Sequence, residues 1–147
     1  MRIVVVAVGK MKGRGLREAL DDYLGRIARY ARIDEVELKD AEGDVLVERF
    51  RKAIPDRARV VALEVDGQAW SSDAFARFVG RCEGDGSVGA VVFLVGGAYG
   101  LPRTVSERAD EHLSLSPMTL PHRLCRVVLA EQIYRAFTIV RNEPYSH

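Results

Sequence analysis

Five apolar residues, Val91 to Val95, stop at Gly96-Gly97-Ala98-Tyr99-Gly100, and a shorter alternation, His112 to Ser116, runs into Pro117-Met118-Thr119-Leu120-Pro121-His122. An apolar run closed by glycines has the pattern of a buried parallel strand. Glycines just past a strand let the backbone take positive φ and let a ligand lie against the main chain. In an open α/β sheet, ligands bind where the carboxyl ends of strands meet such loops, so the site is placed here. The chemistry these residue types offer is binding by backbone groups and small apolar side chains. A second feature, Gly9-Lys10-Met11-Lys12-Gly13-Arg14-Gly15, interleaves glycines with cations. It can present N–H groups and positive charge to a phosphate backbone. It lacks the GxxxxGK[ST] spacing, which excludes a nucleotide P-loop, and no acid stands about twenty residues after a GxGxxG, which disfavours a dinucleotide site. The two cysteines, Cys82 and Cys125, have no metal-ligand spacing, so no metal is expected and both are read as thiols in a reducing compartment.

The elements that must carry these loops follow from periodicity. Arg2 to Val8 reads as a central strand, and Leu16 to Ala31 as a helix with apolar positions at Leu16, Ala19, Leu20, Tyr23, Leu24, Ile27 and Ala28. Ile33 to Leu38 is a half-exposed strand, Ala41 to Ile54 a helix broken by Pro55, and Arg59 to Val65 a third strand turned by Asp66-Gly67-Gln68. Ser71-Ser72-Asp73 caps a helix to about Glu83, the fourth strand ends at Val95, and Pro102 suits the first turn of a short helix, Arg103 to Ala109. The final helix begins at Pro121 or His122 and runs to about Val140. This alternation predicts an α/β domain with a mainly parallel sheet and helices on both faces.

With 147 residues, 48% of them hydrophobic, and no linker or repeat, residues 1–147 are read as a single domain. The apolar run in MRIVVVAVGK is too brief for a membrane span and no cleavage site follows it, so it is read as a strand of a cytoplasmic protein. The net charge of +1 is uneven: residues 1–33 carry eight basic side chains against three acidic ones. From charge alone, a nucleic-acid contact and a solvated helix face remain equally open. The apolar positions of the last helix, from Leu124 to Ile139, are too wide for one stripe, and a second buried face predicts a homodimer.

Three stretches together resemble one family: Leu63-Glu64-Val65-Asp66-Gly67 with Ser71-Ser72; Val95-Gly96-Gly97-Ala98-Tyr99-Gly100-Leu101; and Leu113 to His122 followed by Arg126-Val127 and Glu131-Gln132-Ile133-Tyr134-Arg135-Ala136. In this order and spacing the chain is similar to the RlmH family, SPOUT-class methyltransferases of large-subunit ribosomal RNA. Taken alone, Leu63 is a core residue and Gly96 a turn glycine; their joint appearance at adjacent strand ends carries the resemblance. It implies a SPOUT α/β domain whose C-terminal part forms a trefoil knot, binding S-adenosylmethionine there and working as a homodimer. The implied substrate is 23S rRNA in the assembled ribosome, methylated at N3 of a pseudouridine in the helix 69 loop. The family's cofactor positions fall on Leu63, Gly96, Leu115, Ser116, Pro117, Met118, Thr119 and Leu120.

The residues agree with that placement, because an adenine needs an apolar slot and main-chain hydrogen bonds. Methyl transfer from an activated donor is mainly in-line positioning. The N3 proton can leave to a base or to solvent; His122, Glu131 and His147 are candidates and no catalytic residue is assigned. Lys10, Lys12, Arg126, Arg135, Arg141 and Tyr145 are the residues expected to hold the nucleotide and its phosphates. Valine at Gly96 is expected to block the cofactor while sparing the fold, provided φ there is ordinary. The chain departs from the family at its end, Pro144-Tyr145-Ser146-His147, where the histidine is displaced by one place. A catalytically silent dimeric RNA-binding module is the alternative reading.

Overall fold

The computed structural model describes residues 1–145; the tail positions Ser146 and His147 lie outside the described residues. Five strands form one sheet: β1 (Arg2–Val8), β2 (Arg32–Leu38), β3 (Ala58–Ala69), β4 (Ala90–Val95) and β5 (Glu111–Ser114). Every pairing is parallel and the order is β2-β1-β4-β3-β5. Between the strands lie α1 (Arg14–Ile27), α2 (Gly43–Ala53), α3 (Ser72–Glu83), α4 (Arg103–Glu107) and α5 (His122–Val140).

Alternation along the central strands sorts the helices into two layers. Ile3, Val5 and Ala7 of β1 pack with Leu20 and Ile27 of α1, Phe75 and Val79 of α3, and Leu129, Ile133 and Phe137 of α5. Val4, Val6 and Val8 face the other way, toward Leu46 and Phe50 of α2 and Val105 of α4. A strand covered on both faces should be apolar throughout, and all six residues of β4 are buried. The start of α3 follows the capping rule, Ser71 accepting a hydrogen bond from Ala74 N. No helix among the described residues is long and apolar enough to cross a membrane.

The third strand departs from the sequence reading in a way that shapes the site. It does not turn at Asp66-Gly67-Gln68 but continues to Ala69, and Leu113 of β5 is partner to both Leu63 and Gln68. The intervening residues bulge out of the ladder. Gly67 permits this, since a Cβ there would lie 2.8 Å from the main chain of His112 and Leu113. The other boundaries shift less: α1 starts at Arg14 and ends at Ile27, α2 starts at Gly43, and β5 ends at Ser114.

The wide apolar surface of α5 also has an explanation within the chain. The helix lies against α1, α3 and the sheet at once, burying Leu129, Ala130, Ile133, Ala136 and Phe137. Of its apolar residues, Leu124 and Ile139 are left substantially exposed, at 37% and 39%. The width therefore reflects helix–helix packing on two sides and does not by itself require a partner.

Candidate functional site

A cavity of about 890 Å³ opens where the carboxyl ends of β4, β3 and β5 lie side by side. That volume lies within the range of small-molecule sites, roughly 300–1,000 Å³. One wall is the bulge of β3: Leu63, Glu64, Val65 and Asp66. The second is the loop after β4. There Gly100 N donates to Gly97 O at 3.0 Å, closing a tight turn with Gly100 at φ 79° and Tyr99 fully exposed at its tip. The third is the segment after β5, held by two local bonds: Ser114 Oγ donates to Ser116 O, and Met118 N donates to Ser116 Oγ, both at 2.9 Å. His122 and Cys125 of α5 close the far side.

Of the residues expected to bind a cofactor, Leu63, Gly96, Leu115, Ser116, Met118, Thr119 and Leu120 line this cavity, whereas Pro117 does not and is exposed. Ser116 spends its hydroxyl on the Met118 amide, so its visible role is to shape the segment. Gly96 has ordinary φ, yet the expectation that valine there spares the fold fails on another ground. A Cβ at Gly96 would meet Gly100 C at 2.3 Å and Leu101 N at 2.6 Å. The loop folds back onto its own first residue, so a substitution moves the wall before it meets any ligand.

The cavity holds groups to which the sequence reading gave no role in the site. Both carboxylate oxygens of Glu64 are engaged, one by Ser106 Oγ and the other by His112 Nδ1 at 3.0 Å. Glu64 and Ser106 face the cavity together with Asp66 and Arg103. Their signal was present in Glu64-Val65-Asp66, but a strand running straight into a turn would not have aimed these side chains at one space. Burial pushes the Cys125 thiol above its ordinary pKa, and the thiol donates weakly to Leu120 O at 3.8 Å. The lining is mostly apolar with a few acidic and main-chain acceptors, which fits an adenosyl group carrying a cationic tail. No cluster of three metal-ligating side chains exists among the described residues.

The residues expected to touch nucleic acid divide into three places. Lys10 and Lys12 are exposed on the β1–α1 loop, with no ion pair among the described residues. Arg126 is instead 2% exposed and bound to Glu35, Glu37 and Gly9, which takes it off the surface of the described chain. Arg135 pairs with Glu131 at 2.6 Å and lies 4.5 Å over the Tyr145 ring. Burial, then a hydrogen bond with Tyr23, pushes the Tyr145 hydroxyl up to about 12. Arg141 makes two 2.7 Å bonds to Glu83 and sits over Phe137. Arg135 stands thirteen residues beyond His122 on one helix. At 1.5 Å per residue Arg135 lies about 20 Å along α5 from His122 at the cavity, and Arg141 lies farther still. Glu131, a candidate base, is held by both Arg135 and Gln132 and belongs to that distant group.

Comparisons with known proteins agree with this architecture. Residues 1–147 match the family model described as "Predicted SPOUT methyltransferase". A protein of Sorangium cellulosum named ribosomal RNA large subunit methyltransferase H is 51% identical over 147 residues, covering all of both chains. One of the same name from Geobacter sulfurreducens is 40% identical over 154 residues, again covering all of both. Among solved structures, a probable methylase family protein from Haemophilus influenzae superposes with a TM-score of 0.60 at 13% identity, over 99% of this chain and 70% of that one. At that identity the likeness concerns the fold alone.

Proposed function

This chain belongs to the SPOUT methyltransferase family, and from that premise we propose that it transfers a methyl group from S-adenosylmethionine to large-subunit ribosomal RNA. The position modified is N3 of a pseudouridine in the helix 69 loop of 23S rRNA, in the assembled ribosome. The enzyme works in the cytoplasm as a homodimer, with the family's trefoil knot formed by the segments that follow β4 and β5. One observation carries the reading: the segments that resemble the family's cofactor motif converge on a single cavity at three adjacent strand ends.

S-adenosylmethionine supplies an already activated methyl group. The chain's own part is to bind, orient and exclude water. Leu63, Leu115 and Leu120 offer an apolar slot for a flat base, and the main chain of 115–120 offers its hydrogen bonds. Glu64 and Asp66 place negative charge in the cavity, suited to a cationic ligand. With the methyl group activated, rate enhancement comes mainly from alignment of donor and acceptor. His122 is at the cavity and can take the N3 proton, while Glu131 is held in an ion pair about 14 Å away along the same helix. A dimer offers a physical reason for that separation, since the distal end of one α5 can be brought to the cavity of the other copy.

The test is transfer of labelled methyl from S-adenosylmethionine to purified ribosomes lacking this modification. Incorporation into a 23S fragment that contains helix 69 supports the reading; incorporation elsewhere, or none, refutes it.

A further inference from the structure

The β1–α1 loop carries the exposed cations Lys10 and Lys12, and a buried side chain from the far end of the sequence holds it. Arg126 Nη1 donates to Gly9 O at 3.2 Å, while Nη2 donates to Glu35 Oε2 at 2.5 Å and Glu37 Oε2 at 2.6 Å. The same Glu37 oxygen accepts from Met11 N at 2.7 Å. One guanidinium therefore grips the loop on both sides of Lys10, directly at Gly9 and through Glu37 at Met11. The Met11 side chain points into the core, which leaves Lys10 and Lys12 outward on either side of it. Gly9 and Gly13, at φ 86° and 93°, give the loop its bends. Arg17 completes the cluster, 2.9 Å from Glu35 and 3.7 Å from Glu37.

A buried ion pair is weak evidence of stabilisation, because desolvation offsets most of the attraction. What this one fixes is geometry. Glu35 and Glu37 share one side of β2 and repel without the cation between them. Arg126 adjoins Cys125, which lines the cofactor cavity, and stands one turn after His122, which also lines it. The guanidinium is thus a strut between the cavity and the cationic loop.

We infer that Arg126 is a positioning residue for RNA: it does not touch the nucleic acid but holds Lys10 and Lys12 where they meet phosphates, in register with the cofactor cavity. This rests on the RNA reading of the loop given above. A planar fork with several donors is needed to reach Gly9, Glu35 and Glu37 together, a task lysine cannot perform.

The experiment measures binding of a labelled RNA stem-loop with the helix 69 sequence across a potassium chloride series. The proteins are wild type, Lys10→Ala/Lys12→Ala, Arg126→Met and the triple variant, each with its thermal midpoint. Each lost contact to a single-stranded phosphate lowers the slope of log affinity against log salt by about 0.7. The double lysine variant should lose about 1.4 in slope, twice that per-contact value. Arg126→Met should lose nearly as much, and the triple variant no more than the double. A purely structural role lowers the thermal midpoint and leaves the slope unmoved. If Arg126→Met does not fold, Glu37→Gln loosens the same grip and should lower the slope in the same direction. An unchanged slope in whichever of these two variants folds, or a triple variant with additive losses, overturns the positioning role alone. A wild type whose affinity does not depend on Lys10 and Lys12 overturns the RNA reading of the loop, and the inference with it.

Discussion

A single methyl group added at Gly96 or at Gly97 should have very different consequences, although the two residues are neighbours in the cavity wall. At Gly96 the new carbon would lie 2.3 Å from Gly100 C, 2.6 Å from Gly100 O and 2.6 Å from Leu101 N. Carbon atoms rest comfortably at about 3.5–4.0 Å, so the turn must retreat by more than 1 Å, roughly. The obstructing atoms are main chain, and no rotamer change relieves them. Overpacking of this kind costs about 1–3 kcal/mol, or roughly 3–10 °C in Tm for a domain of this size. At Gly97 the new carbon would lie 3.3 Å from Val8 Cγ1, a side-chain atom that can give by a few tenths of an ångström. That change should cost less than about 1 kcal/mol. Because the displaced turn is a wall of the cavity proposed to hold the cofactor, Gly96→Ala should also weaken S-adenosylmethionine binding, on the order of tenfold or more. Gly97→Ala should bind within about twofold of wild type, since its carbon is aimed at Val8. Calorimetric titration and thermal unfolding on the same samples give both quantities. A Gly96→Ala protein with wild-type Tm and wild-type affinity would refute the close approach of the turn to Gly96, and with it this wall of the cavity.

Other perturbations probe separate parts of the account. Gly67→Ala drives a carbon to within 2.8 Å of the β5 main chain; it should destabilise by about 1–3 kcal/mol, seen as a lower urea midpoint, and an unchanged midpoint would contradict the bulge. Burial works to raise the Glu37 pKa, but bonds from Arg126 and Met11 N and the charge of Arg17 outweigh it and hold the carboxyl below 4.5. Its stabilisation is therefore present above pH 4.5 and is lost as pH falls through the lower folded value; Glu37→Gln should show a flatter stability profile below pH 4.5 by chemical denaturation. Because Cys125 lines the cavity with its thiol pKa raised by burial, alkylation followed by mass spectrometry should speed up at alkaline pH and be suppressed there by S-adenosylmethionine. Labelling of Cys125 that ignores saturating S-adenosylmethionine would place the ligand elsewhere. Light scattering at micromolar concentration should return the mass of two chains, and Leu124→Arg on the exposed side of α5 should reduce it; a stable wild-type monomer would contradict the dimer.

Most of the fold is legible from periodicity because its signals are local. The apolar run of β4, the glycines after it and the amphipathic stripes of α1 and α3 depend on residues a few positions apart. The cavity wall at 115–120 was legible for the same reason, as strand, turn and helix start follow in one unbroken segment. What escaped depends on approaches between distant segments. Gly67 reads as a turn glycine until β5 is seen to pass within contact distance of it, and only that approach turns Glu64, Val65 and Asp66 toward the cavity. Arg126 reads as a polar residue in a wide helix. Its partners Glu35 and Glu37 lie about ninety residues earlier, on a strand whose place beside β1 no local pattern specifies. The breadth of α5 was legible, whereas its cause, packing against α1 and α3 together, required the topology.

The central claim is tested most directly by mass spectrometry of helix 69 fragments of 23S rRNA from a strain lacking this gene, beside the same strain carrying it on a plasmid. The account predicts a pseudouridine that bears no N3 methyl group in the first strain and regains it in the second. The same methylation in both strains would contradict it.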